Sequence, residues 1–255
     1  LVGAFFNRVN FSSSWMIGAD LRNSVMIDSQ LNGVDLSQAD LRSSNLSFAD
    51  LTGVNLSAAI LRGSDLSGAR LENATFADAD LLGVNWELAR FNDQTIWPEN
   101  FDELNQNMMG PGVNLQGYRF PIGFDASGVQ LTGADLSEAW MQNVNLSDAN
   151  LSRADLSLIS LQESNLVNAN LTQARLQGNF NESNFERADF SDGVVYESSF
   201  LGSSLLSSVT DRATFISLSV CPEVMPNEEF KCFQEVGGGQ VILGPNLNAA
   251  TYSVW

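Results

Sequence analysis

The chain has 255 residues, 44% of them hydrophobic, and its 30 acidic and 12 basic side chains give a net charge of −18. This charge argues against a protein that binds a phosphate backbone, because such binding needs clustered Lys and Arg. The absence of histidine removes Ser-His-Asp and Cys-His catalysis and the commonest metal ligand. No apolar run has the length of about 18 residues that a membrane-spanning helix needs. We therefore expect a protein without enzymatic activity, cofactor, metal or membrane span.

From the start of the chain, an apolar residue recurs at every fifth position. The series runs Leu1, Phe6, Phe11, Met16, Leu21 and keeps this phase as far as Ile96. A period of five fits neither the 3.6-residue period of an amphipathic helix nor the two-residue period of a strand. Because the repeat is already in phase at Leu1 and no initiator Met precedes it, we expect a processed or trimmed chain that has lost any targeting segment.

A slower period of 20 residues accompanies the first. Positions 1, 21, 41, 61 and 81 are all leucine, and positions 19, 39, 59 and 79 are all alanine. Four five-residue units then form one four-sided coil, and coils stack at a strand-like spacing of about 4.8 Å. One large side chain per side fills the axis, the small residue two positions earlier fits near a corner, and Asp or Asn between them faces outward and hydrogen-bonds its local backbone. The pattern predicts an all-β solenoid with a closed interior.

One outward column is basic. Arg22, Arg42 and Arg62 are expected about 5 Å apart, with Asp20 and Asp40 close enough to offset their repulsion. The column is either a small basic stripe on an acidic surface or a surface ladder of alternating charges.

The repeat resembles the pentapeptide-repeat family, whose consensus is A-(D/N)-L-x-x. Ala39-Asp40-Leu41, Ala49-Asp50-Leu51 and Val54-Asn55-Leu56 carry the resemblance, which covers most of residues 1–215. It implies a right-handed quadrilateral β-helix, here of about ten coils.

Residues 102–112 interrupt the repeat. We predict a short helical turn closed by Gly110-Pro111-Gly112 and a second irregular patch over 121–128. The domain boundaries follow: an N-terminal repeat (1–101), a bulged coil with an insertion loop (102–130), a C-terminal repeat (131–220) and a cap (221–255). Phe101 and Leu131 lie 30 residues apart, so the columns keep their register and we predict one continuous rod.

Leu104, Met108 and Met109 of the insertion are candidate contacts for a partner, because insertions in solenoids often bind and Met side chains adapt to binding surfaces. The alternative is a tolerated surface loop whose Met side chains pack back on the repeat. Beyond the insertion, the step shortens to four between Leu176 and Phe180, which predicts a one-residue deletion at a corner.

Cys221 and Cys232 are the only cysteines, and they lie in the predicted cap. A disulfide between them would contribute about 3 kcal/mol by the chain-entropy argument and would indicate an oxidising compartment, periplasm or thylakoid lumen. Free buried thiols in a cytoplasmic protein are the alternative. A zinc site needs more ligands than this pair supplies.

Two functions are compatible with the sequence. The arrangement resembles lumenal and periplasmic family members of cyanobacteria and chloroplasts, which implies a structural or interaction role with an unidentified protein partner and no direct contact with nucleic acid. The alternative is a DNA mimic, like the family members that protect DNA gyrase, since ten acidic coils would extend about 50 Å. The cysteine-bracketed tail departs from the hydrophobic C-terminal element through which those members dimerise. The sequence does not predict an oligomeric state.

Overall fold

The computed structural model describes residues 1–12, 14–99, 101, 107–216 and 218. They divide between two compact units, Leu1–Val113 and Asn114–Trp255. Within the described ranges all β pairings are parallel and no residue lies in a helix. The predicted all-β class is therefore confirmed, whereas the continuity of a single rod across both units stays a prediction.

The first unit is built from single-residue parallel bridges between positions 20 apart. Asp20 pairs with Asp40, and Asn45 pairs with Asp65. Such a bridge recurs every five residues, so each 20-residue coil has four sides. The residue after each bridge points inward, and Leu21 and Leu41 are completely buried on the axis. The columns predicted from the 20-residue period are thus real neighbours in space.

A tight turn follows each axial residue. The amide of Ala39 donates to the carbonyl of Leu36 at 3.0 Å, and the third residue of this turn, Gln38, has a φ of 60°. A positive φ at this position is typical of a type II turn and favours glycine. Nevertheless, side chains as large as Phe48 and Leu158 adopt it, each with a φ of 58°. The turns are therefore held by the stacked coils and not by local preference alone.

The predicted axial position of Ile96 is wrong. Ile96 forms the bridge with Thr75, 21 residues earlier, and its side chain is 56% exposed. Trp97 takes the inward position instead, and its ring stacks on that of Phe76 with centroids 5.0 Å apart. Phe101, predicted as an axial residue, also packs on Trp97 at 4.8 Å. The step is six residues here because the larger aromatic ring, and not the isoleucine, fills the end of the core.

The second unit contains the longest pairings. Strands β1 (Asp155–Ser160), β2 (Arg175–Asn179), β3 (Val194–Tyr196) and β4 (Thr214–Ile216) form one parallel sheet in the order β1-β2-β3-β4. The other sides of this unit are single bridges. Phe180, Phe185 and Phe190 are all buried on its axis, where they continue the series of apolar residues after the shortened step.

The predicted irregular patch at 121–128 contains a one-residue insertion, because the successive bridges at Arg119 and Asp125 are six positions apart instead of five. Asp125 forms an ordinary bridge with Asn145, and the small Ala126 is completely buried on the axis. Phe124, half-buried, occupies the corner position that elsewhere holds a small residue. The large and small side chains are thus exchanged at Phe124 and Ala126, directly after the inserted residue.

The predicted one-residue deletion is confirmed between β1 and β2. Leu156 pairs with Leu176, 20 residues on, but Ile159 pairs with Gly178, only 19 residues on. A Cβ atom on Gly178, whose φ is 148°, would lie 2.0 Å from the carbonyl oxygen of Ile159. The shortened step therefore depends on a residue without a side chain.

Buried serines complete the corners near this deletion. The Ser164 hydroxyl accepts from the Val144 amide at 3.1 Å and donates to the Met141 carbonyl at 2.7 Å. The Ser183 hydroxyl repeats this one coil on, accepting from the Ser164 amide and donating to the Leu161 carbonyl. Each hydroxyl thus supplies the turn hydrogen bond of the preceding coil, so that buried backbone groups stay paired.

Replacing Gly178 by Ala should destabilise the protein by about 3 kcal/mol or more, because the new Cβ would force the backbone of two strands apart. Gly133→Ala is the matched control: its φ is 67°, yet no atom lies within 4 Å of the new Cβ. Strain alone should then cost about 1 kcal/mol. Urea unfolding measures both. Equal losses would contradict the close approach at Gly178.

Candidate functional site

The outward acidic side chains are oriented by their own turns. The Oδ1 atom of Asp35 accepts a hydrogen bond from the Ser37 amide at 2.9 Å, and Asp135 accepts one from the Ser137 amide at 2.9 Å. Hydrogen bonding by Ser37 lowers the pKa of Asp35. The predicted bond to the local backbone is confirmed, and it holds these carboxylates in fixed positions on the surface.

The arginine column of the first unit is a charge ladder. The Arg22 guanidinium binds both carboxylate oxygens of Asp20, at 2.8 and 2.7 Å, and approaches Asp40 at 3.7 Å. Arg42 binds Asp40 in the same two-pronged way, at 2.9 and 2.5 Å. Arg62 pairs with Asp80. Each of these three arginines is paired with a carboxylate on the same surface, so the column is not a basic stripe.

The ladder shifts the ionisation of its carboxylates. Hydrogen bonds from Arg22 lower the pKa of Asp20 from 3.8 to about 2, and those from Arg42 lower the pKa of Asp40. The same contacts raise the pKa of Arg22 and Arg42. Since these side chains are in water, the ladder fixes charge positions and adds little to stability.

The structure buries two of the three candidate contacts of the insertion. Met108 and Met109 are completely buried, so they follow the second alternative and pack back on the repeat. Leu104 lies outside the described residues. Binding by this loop stays a prediction, but the two Met side chains present no surface to a partner in this structure.

The predicted helical turn is not formed over 107–112. Met109 instead bridges to Arg90, and its amide donates to the Ala89 carbonyl at 2.7 Å. Gly110 then takes the inward position, where a Cβ atom would lie 2.3 Å from the ring of Phe91. Gly110, predicted to end a helix, is therefore needed because the last coil of the first unit has no room for a side chain there.

Cys221 and Cys232 lie outside the described residues, as does the predicted cap. In the described part of the chain, no three His, Cys, Asp or Glu side chains are grouped as metal ligands. No helix in that part is both long and apolar enough to cross a membrane.

Sequence reasoning missed an aromatic surface on the second unit. Trp140 stands immediately before an axial residue, where Asp or Asn is usual, and the Arg119 guanidinium lies 4.8 Å from the centroid of its ring. A bulky residue at this outward position departs from the repeat and can therefore be recognised in the sequence. Phe5 and Trp15 share it in the first coil of the first unit.

The family model described as pentapeptide repeats matches in eight copies, over residues 4–42, 27–57, 39–77, 122–148, 130–161, 141–178 and 159–200. No curated protein matches.

Three solved structures are similar to parts of this chain. A pentapeptide repeat protein from Nostoc PCC 7120 is 38% identical over 41% of this chain and 85% of that one, with a TM-score of 0.40. One from the Arabidopsis thaliana thylakoid lumen is 31% identical over 36% and 67%, with a TM-score of 0.27. A trypsin-treated form of QnrB1, a plasmid-mediated fluoroquinolone resistance protein, is 19% identical over 66% and 80%, also with a TM-score of 0.27.

Replacing Arg22 by Gln should return the titration of Asp20 from about 2 towards 3.8. A carboxylate with a lowered pKa contributes its stability above its ordinary pKa and loses it as the pH falls towards 2. Carboxyl-carbon NMR titration measures the midpoint. Arg62→Gln is the control, because Arg62 pairs with Asp80. An unchanged Asp20 midpoint in Arg22→Gln would contradict the ladder.

Proposed function

We propose that this chain, which belongs to the pentapeptide repeat family, is a non-enzymatic protein whose acidic outer surface binds a protein partner. The observation that carries the proposal is the separation of inward and outward side chains. The axial columns are apolar and buried, so the groups that another molecule can reach stand on the outward columns. Those columns belong to a chain in which acidic residues outnumber basic ones by 30 to 12.

The ion pairs support a basic partner. Arg8, Arg22, Arg42, Arg62, Arg70, Arg187 and Arg212 each have a carboxylate oxygen within 4.0 Å. Much of the positive charge is therefore cancelled locally, and the excess acidic side chains set the sign of the surrounding field. Such a field attracts a partner with a basic surface and repels nucleic acid. Direct binding of DNA or RNA is not part of the proposal.

A second candidate is DNA mimicry towards gyrase, as the family resemblance implies. The observation that favours it is the stacking of carboxylates: Asp135 bridges directly to Asp155 on the next coil. Two carboxylates one coil apart resemble neighbouring phosphates, and the column continues into Arg175, the bridge partner of Asp155. We rank it second because the ladder of the first unit interrupts the acidic columns with guanidinium groups.

A gyrase supercoiling assay separates the two candidates. The interaction proposal predicts no inhibition at micromolar protein. Inhibition at sub-micromolar protein, lost when Asp135 and Asp155 are both replaced by Asn, would contradict it and support mimicry, because the amides keep the shape and remove the charge. Arg153→Gln, which removes a charge of the opposite sign from the same unit, is the control.

We propose the periplasm or thylakoid lumen as the compartment, with the cytoplasm as the alternative. Cys221 and Cys232 support an oxidising compartment, and one similar protein comes from a thylakoid lumen.

Counting thiols in the denatured, unreduced protein tests this point. We expect no reactive thiol before reduction and two after it, since the only cysteines would be joined. Protein purified without reductant and alkylated at lysis guards against oxidation in the tube. Two reactive thiols before reduction would contradict the disulfide and remove the support for an oxidising compartment.

A further inference from the structure

One side of the second unit carries an aromatic and cationic pair. Arg119 and Trp140 form a bridge between successive coils, so their outward side chains stand one above the other. The guanidinium carbon lies 4.8 Å from the centroid of the indole ring, within cation–π range. This contact holds the Trp140 ring in place while 54% of the side chain remains exposed. A pre-ordered, half-exposed Trp beside an Arg has the composition of a binding hot spot.

Two aliphatic side chains extend this surface. Ile122, 76% exposed, lies in the turn that leaves the Arg119 side of its coil. Leu158, 59% exposed, lies in β1 at a corner of the next coil, two residues before Ser160, which is the bridge partner of Trp140. Single exposed apolar residues are ordinary. Here Trp140 stands on one side of the unit, with Leu158 at the corner where that side begins and Ile122 at the corner where it ends. We call Arg119, Ile122, Trp140 and Leu158 the Trp140 surface.

Two glutamates with neutral partners flank the Trp140 surface. Glu138, two residues before Trp140, accepts a hydrogen bond from the Gln116 amide nitrogen at 3.3 Å. Glu163, in the turn of the next coil, accepts one from Gln142 at 3.3 Å. An amide orients a carboxylate without cancelling its charge. In this they differ from Asp20 and Asp40, whose partners are guanidinium groups.

We propose that the Trp140 surface binds a protein segment that presents a short run of apolar residues between Lys or Arg residues. This inference rests on the proposed function and names the class of partner. The apolar residues would cover Trp140, Ile122 and Leu158, and the basic residues would meet Glu138 and Glu163. A second copy of this chain fits poorly as the occupant, because each copy carries a net charge of −18 and would bring the same glutamates to the contact.

The test uses a fluorescein-labelled heptapeptide with a Leu-Phe-Leu core between two Lys-Lys pairs, and fluorescence anisotropy with the full chain. We expect saturable binding that Trp140→Ala weakens about tenfold or more, as expected for loss of an aromatic hot spot. Replacing Glu138 and Glu163 together by Gln should weaken binding about fivefold and flatten its salt dependence. Ile122→Ser, on the same surface but away from the cation–π contact, should also weaken it.

Trp15→Ala is the matched control, since Trp15 is 87% exposed and lies at the corresponding outward position in the first unit. It should leave binding unchanged, and an equal loss in Trp15→Ala and Trp140→Ala would overturn the assignment. A peptide with a Gly-Gly-Gly core that binds as tightly would also overturn it, while the acidic interaction role would stand. If neither lysine peptide binds, both the inference and the proposed function fail. A dimer in sedimentation that Trp140→Ala abolishes would make a second copy the occupant and refute the proposal.

Discussion

The structure depends on how little room a five-residue side leaves inside a coil. One large side chain reaches the axis, and a small one occupies the corner two positions earlier, as Leu41 and Ala39 do. Close packing makes this division strict, because interiors of this density tolerate neither an added methylene nor a cavity. Everything else faces outward by geometry, so one short repeat separates the residues that build the fold from those that other molecules can meet.

The same constraint explains where the period changes. The chain takes a six-residue step where Trp97 enters the core in place of Ile96, and a shorter step where Gly178 passes close to Ile159. Between Arg119 and Asp125 it takes a second six-residue step, and it exchanges the large and small positions at Phe124 and Ala126. Each local adjustment preserves a filled axis, which shows that inward volume is held more strictly than the count of five.

The sequence was sufficient for the period, the four-sided coil, the outward orientation of Asp and Asn, and the deletion before Phe180. It was insufficient where two adjacent apolar residues compete, as Ile96 and Trp97 do, because phase cannot decide which one turns inward. Burial of Met108 and Met109 depends on where the last coil of the first unit closes, which no repeat specifies. Trp140 was recognisable as a departure at an outward position, but its partner Arg119 emerges only once the register of the coil is known.

Two leucines in β1 show most directly whether position within the repeat decides what a residue does. Leu156 is completely buried on the axis, and Leu158, two residues away, faces outward. Each is replaced by Ala, and the free energy of unfolding is measured in urea. We predict a loss of about 3 kcal/mol for Leu156→Ala and about 0.5 kcal/mol or less for Leu158→Ala. Equal losses would contradict it.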